Sequence, residues 1–148
     1  MMTLLKLLGL VVVLNIVRYV AAAPLEAYLV FGGLSGAMEE SACFNTTFTT
    51  ADWATSFFYN FMMWFSITLM FYVAEQGLGG GYVLRSLKLY GIAWLFFASL
   101  SAVYMNHYSH PIDFYVFNVL DALIVFPIVA VANGLLYPRF RLGKSRPA

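Results

Sequence analysis

The sequence predicts an all-α integral membrane protein, a four-transmembrane-helix bundle with a short interfacial segment between helices 1 and 2. Hydrophobic residues make up 62% of the 148 residues and charged residues 10%, against about 45–50% and about 25% in soluble domains. The mean hydropathy is +0.81. A soluble core of this size cannot enclose so much apolar surface, so lipid must cover part of it.

Four segments contain the run of about 20 mostly apolar residues that a membrane span requires. We expect one transmembrane domain over residues 1–148, with spans at about 4–22, 53–74, 86–108 and 112–137. Only a short turn at Ser109, His110 and Pro111 separates the last two spans. These two spans are therefore expected to form an antiparallel hairpin.

The interfacial segment is predicted from an apolar run that is too short to cross a membrane. Residues 27–38 contain Ser35 as their one polar side chain, and a run of this length is typical of an interfacial or re-entrant piece. Pro24 suits the first turn of a short helix. The Gly32-Gly33 pair is expected to end that helix.

The basic residues predict the orientation, because cytoplasmic connections carry an excess of Lys and Arg. Apart from Arg18, they lie at the start of span 1, beside the connection between spans 2 and 3, and after span 4: Lys6, Arg85, Lys88, Arg139, Arg141, Lys144 and Arg146. Both termini are therefore expected to be cytoplasmic. The general pattern resembles that of small bacterial inner-membrane proteins, so we expect a bacterial plasma membrane.

Polar side chains concentrate in the outer halves of all four spans. We expect an outward-facing ligand or ion pocket lined by Arg18, Asn60, His107, Asn118 and Asp121, because charged groups at membrane depth face the bundle interior or a cavity. Arg18 and Asp121 would form an ion pair. The alternative is a network that only fixes helix packing. The inner halves are expected to be nearly bare of polar groups, with Asn133 as the main exception.

A second candidate site is a metal centre at His107, His110 and Asp113, because histidine and carboxylate ligands suit zinc, copper or iron. Glu39 and Glu40 could complete it. Simpler interpretations remain open, since Pro111 interrupts the helix between the ligands and Asp113 suits the first turn of span 4. The sequence does not identify a cofactor, and a divalent metal is the cofactor that these three side chains would bind.

Two functions follow from these patterns. The first is a transport-type protein or an accessory subunit of a membrane complex, and the alternative is a membrane-embedded metalloenzyme. Whether the protein is an enzyme is left uncertain by the sequence. Four helices are few for a complete transporter, so we expect homo-oligomers or other membrane subunits as partners, besides the bilayer. A net charge of +1 gives no electrostatic footprint for nucleic acid.

Overall fold

The computed structural model describes residues 2–40, 42, 44 and 47–142, and it confirms the all-α four-helix bundle. The helices are α1 (Met2–Val17), a π-helical turn (Arg18–Ala22), α2 (Ala23–Leu29), α3 (Phe31–Glu39), α4 (Thr50–Ala74), α5 (Tyr82–His107) and α6 (Ile112–Leu136). A 3₁₀ turn, Glu75–Gly77, extends α4. Four continuous helical stretches are long and apolar enough to cross a membrane: Met2–Leu29, Thr50–Gly77, Tyr82–His107 and Ile112–Leu136.

Helices α5 and α6 form the most closely packed pair in the bundle. A Cβ atom added to Gly134 would lie 2.4 Å from the Cα atom of Val83, so the absence of a side chain on α6 lets the two backbones approach. Asn133 Nδ2 donates a 3.0 Å hydrogen bond to the buried Ser86 hydroxyl. Packing and hydrogen bonding therefore join the hairpin at the end opposite its turn.

The two ends of the bundle differ in packing. We refer to the end at the connection 76–82 as the Gly-rich end, and to the end at the turn 108–111 as the histidine end. In α4 the buried residues begin at Trp64, in the half of the helix towards the Gly-rich end. In α5 the buried residues Ser86, Leu89 and Tyr90 also lie near the Gly-rich end, and Ser101 is the one buried residue nearer the histidine end. Helices α4 and α5 therefore meet at the Gly-rich end and separate towards the histidine end.

The interfacial segment differs from the prediction at its break. The chain stays helical through Pro24 to Leu29, breaks at Val30 (φ −127°), and continues as α3. The predicted helix end at Gly32-Gly33 is wrong, because both glycines lie inside α3. A Cβ atom on Gly33 would come within 2.2 Å of the Phe117 ring of α6. That glycine therefore serves close packing of α3 on α6 and does not terminate the helix.

The Gly-rich end contains a buried ion pair next to the span halves that were expected to be nearly bare of polar groups. Arg85 Nη1 donates a 2.8 Å hydrogen bond to Glu75 Oε2, and the Glu75 side chain is 1% exposed. Glu75 and Arg85 lie just outside the spans that hydropathy predicts. The helical extension of α4 draws Glu75 into the packed interior, where a carboxylate requires a partner.

Tyr137 closes the same end beside Glu75. Burial, together with the charge of Glu75, raises the pKa of the Tyr137 hydroxyl. The hydroxyl therefore keeps its proton, and it donates a 3.3 Å hydrogen bond to the carbonyl of Leu142. The chain after α6 also reaches α1, because the Phe140 ring lies against Gly9.

The close approach at Gly134 is testable. We expect Gly134→Ala to lower the free energy of unfolding by about 1–3 kcal/mol, because the new methyl group overlaps the α5 backbone. Gly91→Ala is the control, since a Cβ atom there meets nothing within 4 Å and alanine favours the helix. Unfolding in mixed micelles with increasing SDS measures both variants. Equal stabilities for the two variants would contradict the close approach.

The buried ion pair gives a second prediction. We expect Arg85→Leu to cost about 3 kcal/mol of unfolding free energy, because it leaves the Glu75 carboxylate buried without its partner. The double variant Glu75→Leu with Arg85→Leu should recover most of this loss. Lys88→Leu is the control, since Lys88 is exposed and its ammonium bonds to the Gly79 carbonyl. A double variant no more stable than Arg85→Leu would show that the pair is not the cause.

Candidate functional site

The candidate site is a cluster of three ionisable side chains between the first span and α6, in the half of the bundle at the histidine end. Arg18 lies on the π-helical turn and Glu26 on α2. Arg18 Nη2 lies 3.3 Å from Glu26 Oε1, and the two side chains are 18% and 13% exposed. The guanidinium also lies over the Tyr19 ring, at 4.7 Å from its centroid. Most of the surface of this ion pair is therefore covered by protein.

The π-helical turn aligns the two members of the ion pair. The amide of Ala23 bonds to the carbonyl of Arg18, five residues back, and the wider turn accommodates Pro24, which has no amide proton and whose ring crowds a regular helix. Eight residues of regular α-helix would rotate Glu26 by about 80° from the direction of Arg18. The residue added by the π turn reduces this angle to about 20°. Arg18 and Glu26 therefore lie on one face, two turns apart.

Asp121 completes the cluster from α6. Its carboxyl approaches that of Glu26 closely enough for a side-chain hydrogen bond, and the charge of Arg18 acts on both carboxyls. Two carboxyl groups can hydrogen-bond to each other only when one of them carries a proton. We refer to Arg18, Glu26 and Asp121 as the ionic cluster. It joins the first span to α6 and contains a position where a proton or a cation can sit between two acids.

The structure places the five residues of the predicted pocket in different surroundings. Arg18 and Asp121 belong to the ionic cluster, although the salt bridge of Arg18 is to Glu26. Asn60 accepts a 2.8 Å hydrogen bond from Trp64 Nε1 within α4. Asn118 lines a separate cavity between α5 and α6, and His107 is exposed at the end of α5.

Glu26 is the member of the cluster that the sequence reasoning missed. It follows Pro24 by two residues, at the start of the predicted interfacial helix and outside the predicted span 4–22. The continuous helix from α1 to α2 instead carries it alongside α6. A possible signal is the Arg18-to-Glu26 spacing of eight residues across a proline, because a π turn there would bring both onto one face.

The structure does not support the predicted metal centre. Among residues 2–40, 42, 44 and 47–142, no group of three or more His, Cys, Asp or Glu side chains is placed to hold a metal ion. The backbone is extended at Tyr108 and at Pro111, so His107 and His110 do not share a helix face. The His110 ring packs at 4.9 Å from the Phe44 ring, while Asp113 is exposed in the first turn of α6.

No protein-family model, no curated protein and no solved structure matches the chain. The class of protein is therefore defined by its own fold and site. Four apolar helices of membrane-spanning length make it a polytopic α-helical membrane protein. Within the described residues, the ionic cluster brings one arginine and two acids together between the first span and α6.

The charge balance of the ionic cluster predicts an asymmetry among its variants. Arg18→Gln leaves two acids, which can be neutralised by protons, whereas Glu26→Gln with Asp121→Asn leaves a guanidinium that cannot lose its proton. We expect the double variant to be the less stable of the two. The triple variant, with all three neutral side chains, should recover stability.

Yields of folded protein and melting temperatures in detergent measure these differences. Asp113→Asn with Glu40→Gln is the matched control, because it removes two exposed carboxylates from the same end. If the triple variant is no more stable than the Glu26→Gln, Asp121→Asn double variant, the three groups do not balance one another.

Proposed function

We propose that this protein binds and releases a proton at the Glu26–Asp121 pair, acting as a transport-type protein or as an accessory subunit of a membrane complex. The single observation that carries the proposal is the contact between two carboxyl groups beside one arginine. Arg18 is permanently charged and balances one carboxylate. The second carboxyl must therefore be neutralised by a proton or by a small cation when it is surrounded by hydrocarbon.

The position of the pair suits a relay within the membrane. Asp121 is nine residues from the start of α6 at Ile112, which corresponds to about 14 Å at 1.5 Å per residue. The hydrocarbon core of a bilayer is about 30 Å thick, so this depth is near its middle. Acidic residues at such depths mark proton relays and ion pathways in pumps and transporters.

We propose that the Gly-rich end faces the cytoplasm of a bacterium, with both termini on that side. The basic residues Lys6, Arg85, Lys88 and Arg139 support this orientation through the positive-inside rule. The contact between Gly9 and Phe140 supports it as well, because it brings the start of the first span close to the chain that follows the last. The histidine end would then face outward.

We propose further that the protein acts together with other copies or other subunits. The first half of α4 supports this, because it has no fully buried residue before Trp64 and exposes large aromatic rings. They are Trp53, Phe57, Phe58 and Tyr59. A row of exposed aromatic residues suits a neighbouring helix as well as it suits lipid.

Infrared difference spectroscopy of the purified protein tests proton binding directly. We expect a pH increase to remove the carbonyl band of a protonated carboxylic acid in the wild type. Glu26→Gln and Asp121→Asn should each abolish this change, because the remaining acid is then ionised opposite Arg18. Asp113→Asn, at an exposed carboxylate, should keep it. A band that is unaffected by both cluster variants would overturn the proposal.

Proteoliposomes loaded with a pH-sensitive dye distinguish the two roles. Proton movement by the protein alone, lost in Asp121→Asn, would indicate a transport-type protein. The other outcome is that the protein shows the infrared change but moves no protons across the vesicle membrane. In that case, subunits that co-purify with it from native membranes would indicate the accessory role.

A further inference from the structure

A second site lies between α5 and α6, and none of the three residues of the ionic cluster lines it. A cavity of about 440 Å³ opens between α5 and α6 near the histidine end. Five aromatic rings form much of its wall: Phe97, Tyr104, Tyr108, Phe114 and Tyr115. We refer to it as the aromatic cavity. Its volume is within the range of small-molecule pockets, about 300–1,000 Å³.

Three polar side chains complete the wall of the aromatic cavity: Ser101, His110 and Asn118. His110 Nδ1 is buried without a hydrogen-bond partner in the part of the chain that the structure describes. A buried polar atom of this kind is uncommon and costs free energy unless something bonds to it. Among the residues that the structure describes, no Asp, Glu, Lys or Arg side chain lines the cavity.

An apolar groove continues from the aromatic cavity. It has a volume of about 490 Å³ and lies between α4 and α5, where Met63, Met70, Ile92 and Phe96 contribute to its walls and Phe126 of α6 also lines it. Phe97 and Leu100 border both the cavity and the groove. The two spaces are therefore adjacent along α5. From Tyr108 to Ile92 they extend over about 24 Å of this helix.

We propose that the aromatic cavity and the apolar groove together bind one amphiphilic molecule, which has a neutral planar head and a long hydrocarbon tail. This is the chemistry of a lipid-soluble quinone. A planar ring stacks favourably on aromatic side chains, and the Asn118 amide and the Ser101 hydroxyl can donate hydrogen bonds to its oxygen atoms. The tail would occupy the groove that the separation of α4 from α5 leaves open.

The absence of Lys and Arg from the described part of the wall argues against a phospholipid as the specific occupant. A phosphate group in the aromatic cavity would be buried without a Lys or Arg partner, which is costly. Quaternary ammonium groups do bind aromatic cages, but in a phospholipid such a group is attached to the phosphate. A neutral head has no such requirement. This site is distinct from the ionic cluster, because Arg18, Glu26 and Asp121 line neither the aromatic cavity nor the groove.

Equilibrium binding to the full-length protein in detergent micelles tests this proposal with two probes. One is a ubiquinone analogue with a decyl tail, and the other is the same benzoquinone head without a tail. We expect saturable binding of both, tighter for the probe with the tail. Asn118→Leu and Ser101→Ala should weaken the binding of both probes, by about tenfold for Asn118→Leu, because each removes a hydrogen bond to the head.

Ala93→Phe tests the groove separately. Ala93 lines the groove, so a ring there should lower the affinity for the decyl probe to that for the tailless head and leave the tailless probe unaffected. Two controls on the same helix should change neither affinity. Ser99→Ala removes a hydroxyl that is bonded to the Leu95 carbonyl, and Ala102→Phe adds a ring at an exposed position.

Three outcomes would overturn the proposal. They are non-saturable uptake of both probes, equal losses in the control variants, and retention of a phospholipid that the decyl quinone does not displace. Melting temperatures confirm that each variant is folded. Because the ionic cluster is untouched, the pH-dependent infrared change should persist in Asn118→Leu and Ala93→Phe, so the two proposals can fail separately.

Discussion

The organisation of this bundle depends on one constraint, which is that a polar group at membrane depth must find its partner within the protein. Neighbouring helices are joined by such contacts. Asp121 reaches Glu26 between α6 and the first span, and Glu75 binds Arg85 between the extension of α4 and α5. Between α5 and α6, Ser86 accepts a hydrogen bond from Asn133. Hydrocarbon gives apolar side chains little preference for a partner, so these polar contacts specify which helices pair.

The polar contacts are unevenly distributed along the bundle, and this produces its shape. At the Gly-rich end, the Glu75–Arg85 pair and the large buried rings of Trp64 and Tyr90, which stack at 6.2 Å, hold α4 against α5. Towards the histidine end no comparable polar pair joins these two helices among the residues that the structure describes. They separate there and leave an apolar groove. One end is therefore a closed structural base, and the other contains both candidate binding sites.

The ionic cluster illustrates how a local backbone irregularity creates a site. Without the π-helical turn, Arg18 and Glu26 would point in directions about 80° apart. Pro24 supplies the local reason for the irregularity. Composition could indicate that Arg18 and Asp121 require partners. It could not identify Glu26 as the third member, because that depends on helical phase and on the path of α2 along α6.

The sequence alone determined the fold class. It contains four apolar runs long enough to cross a membrane, and the backbone polar groups of such runs are hydrogen-bonded in lipid when each run forms a helix. It also indicated that polar residues at membrane depth are the candidates for function. Tertiary structure decided which of them meet. It separated His107 from His110 by an extended turn, left Asn60 bonded within its own helix, and buried Glu75, which hydropathy had assigned to a connection. Hydropathy measures the transfer of a segment into the membrane. These contacts depend on how each helix is rotated and packed, and the apolar pattern of a single sequence does not encode that.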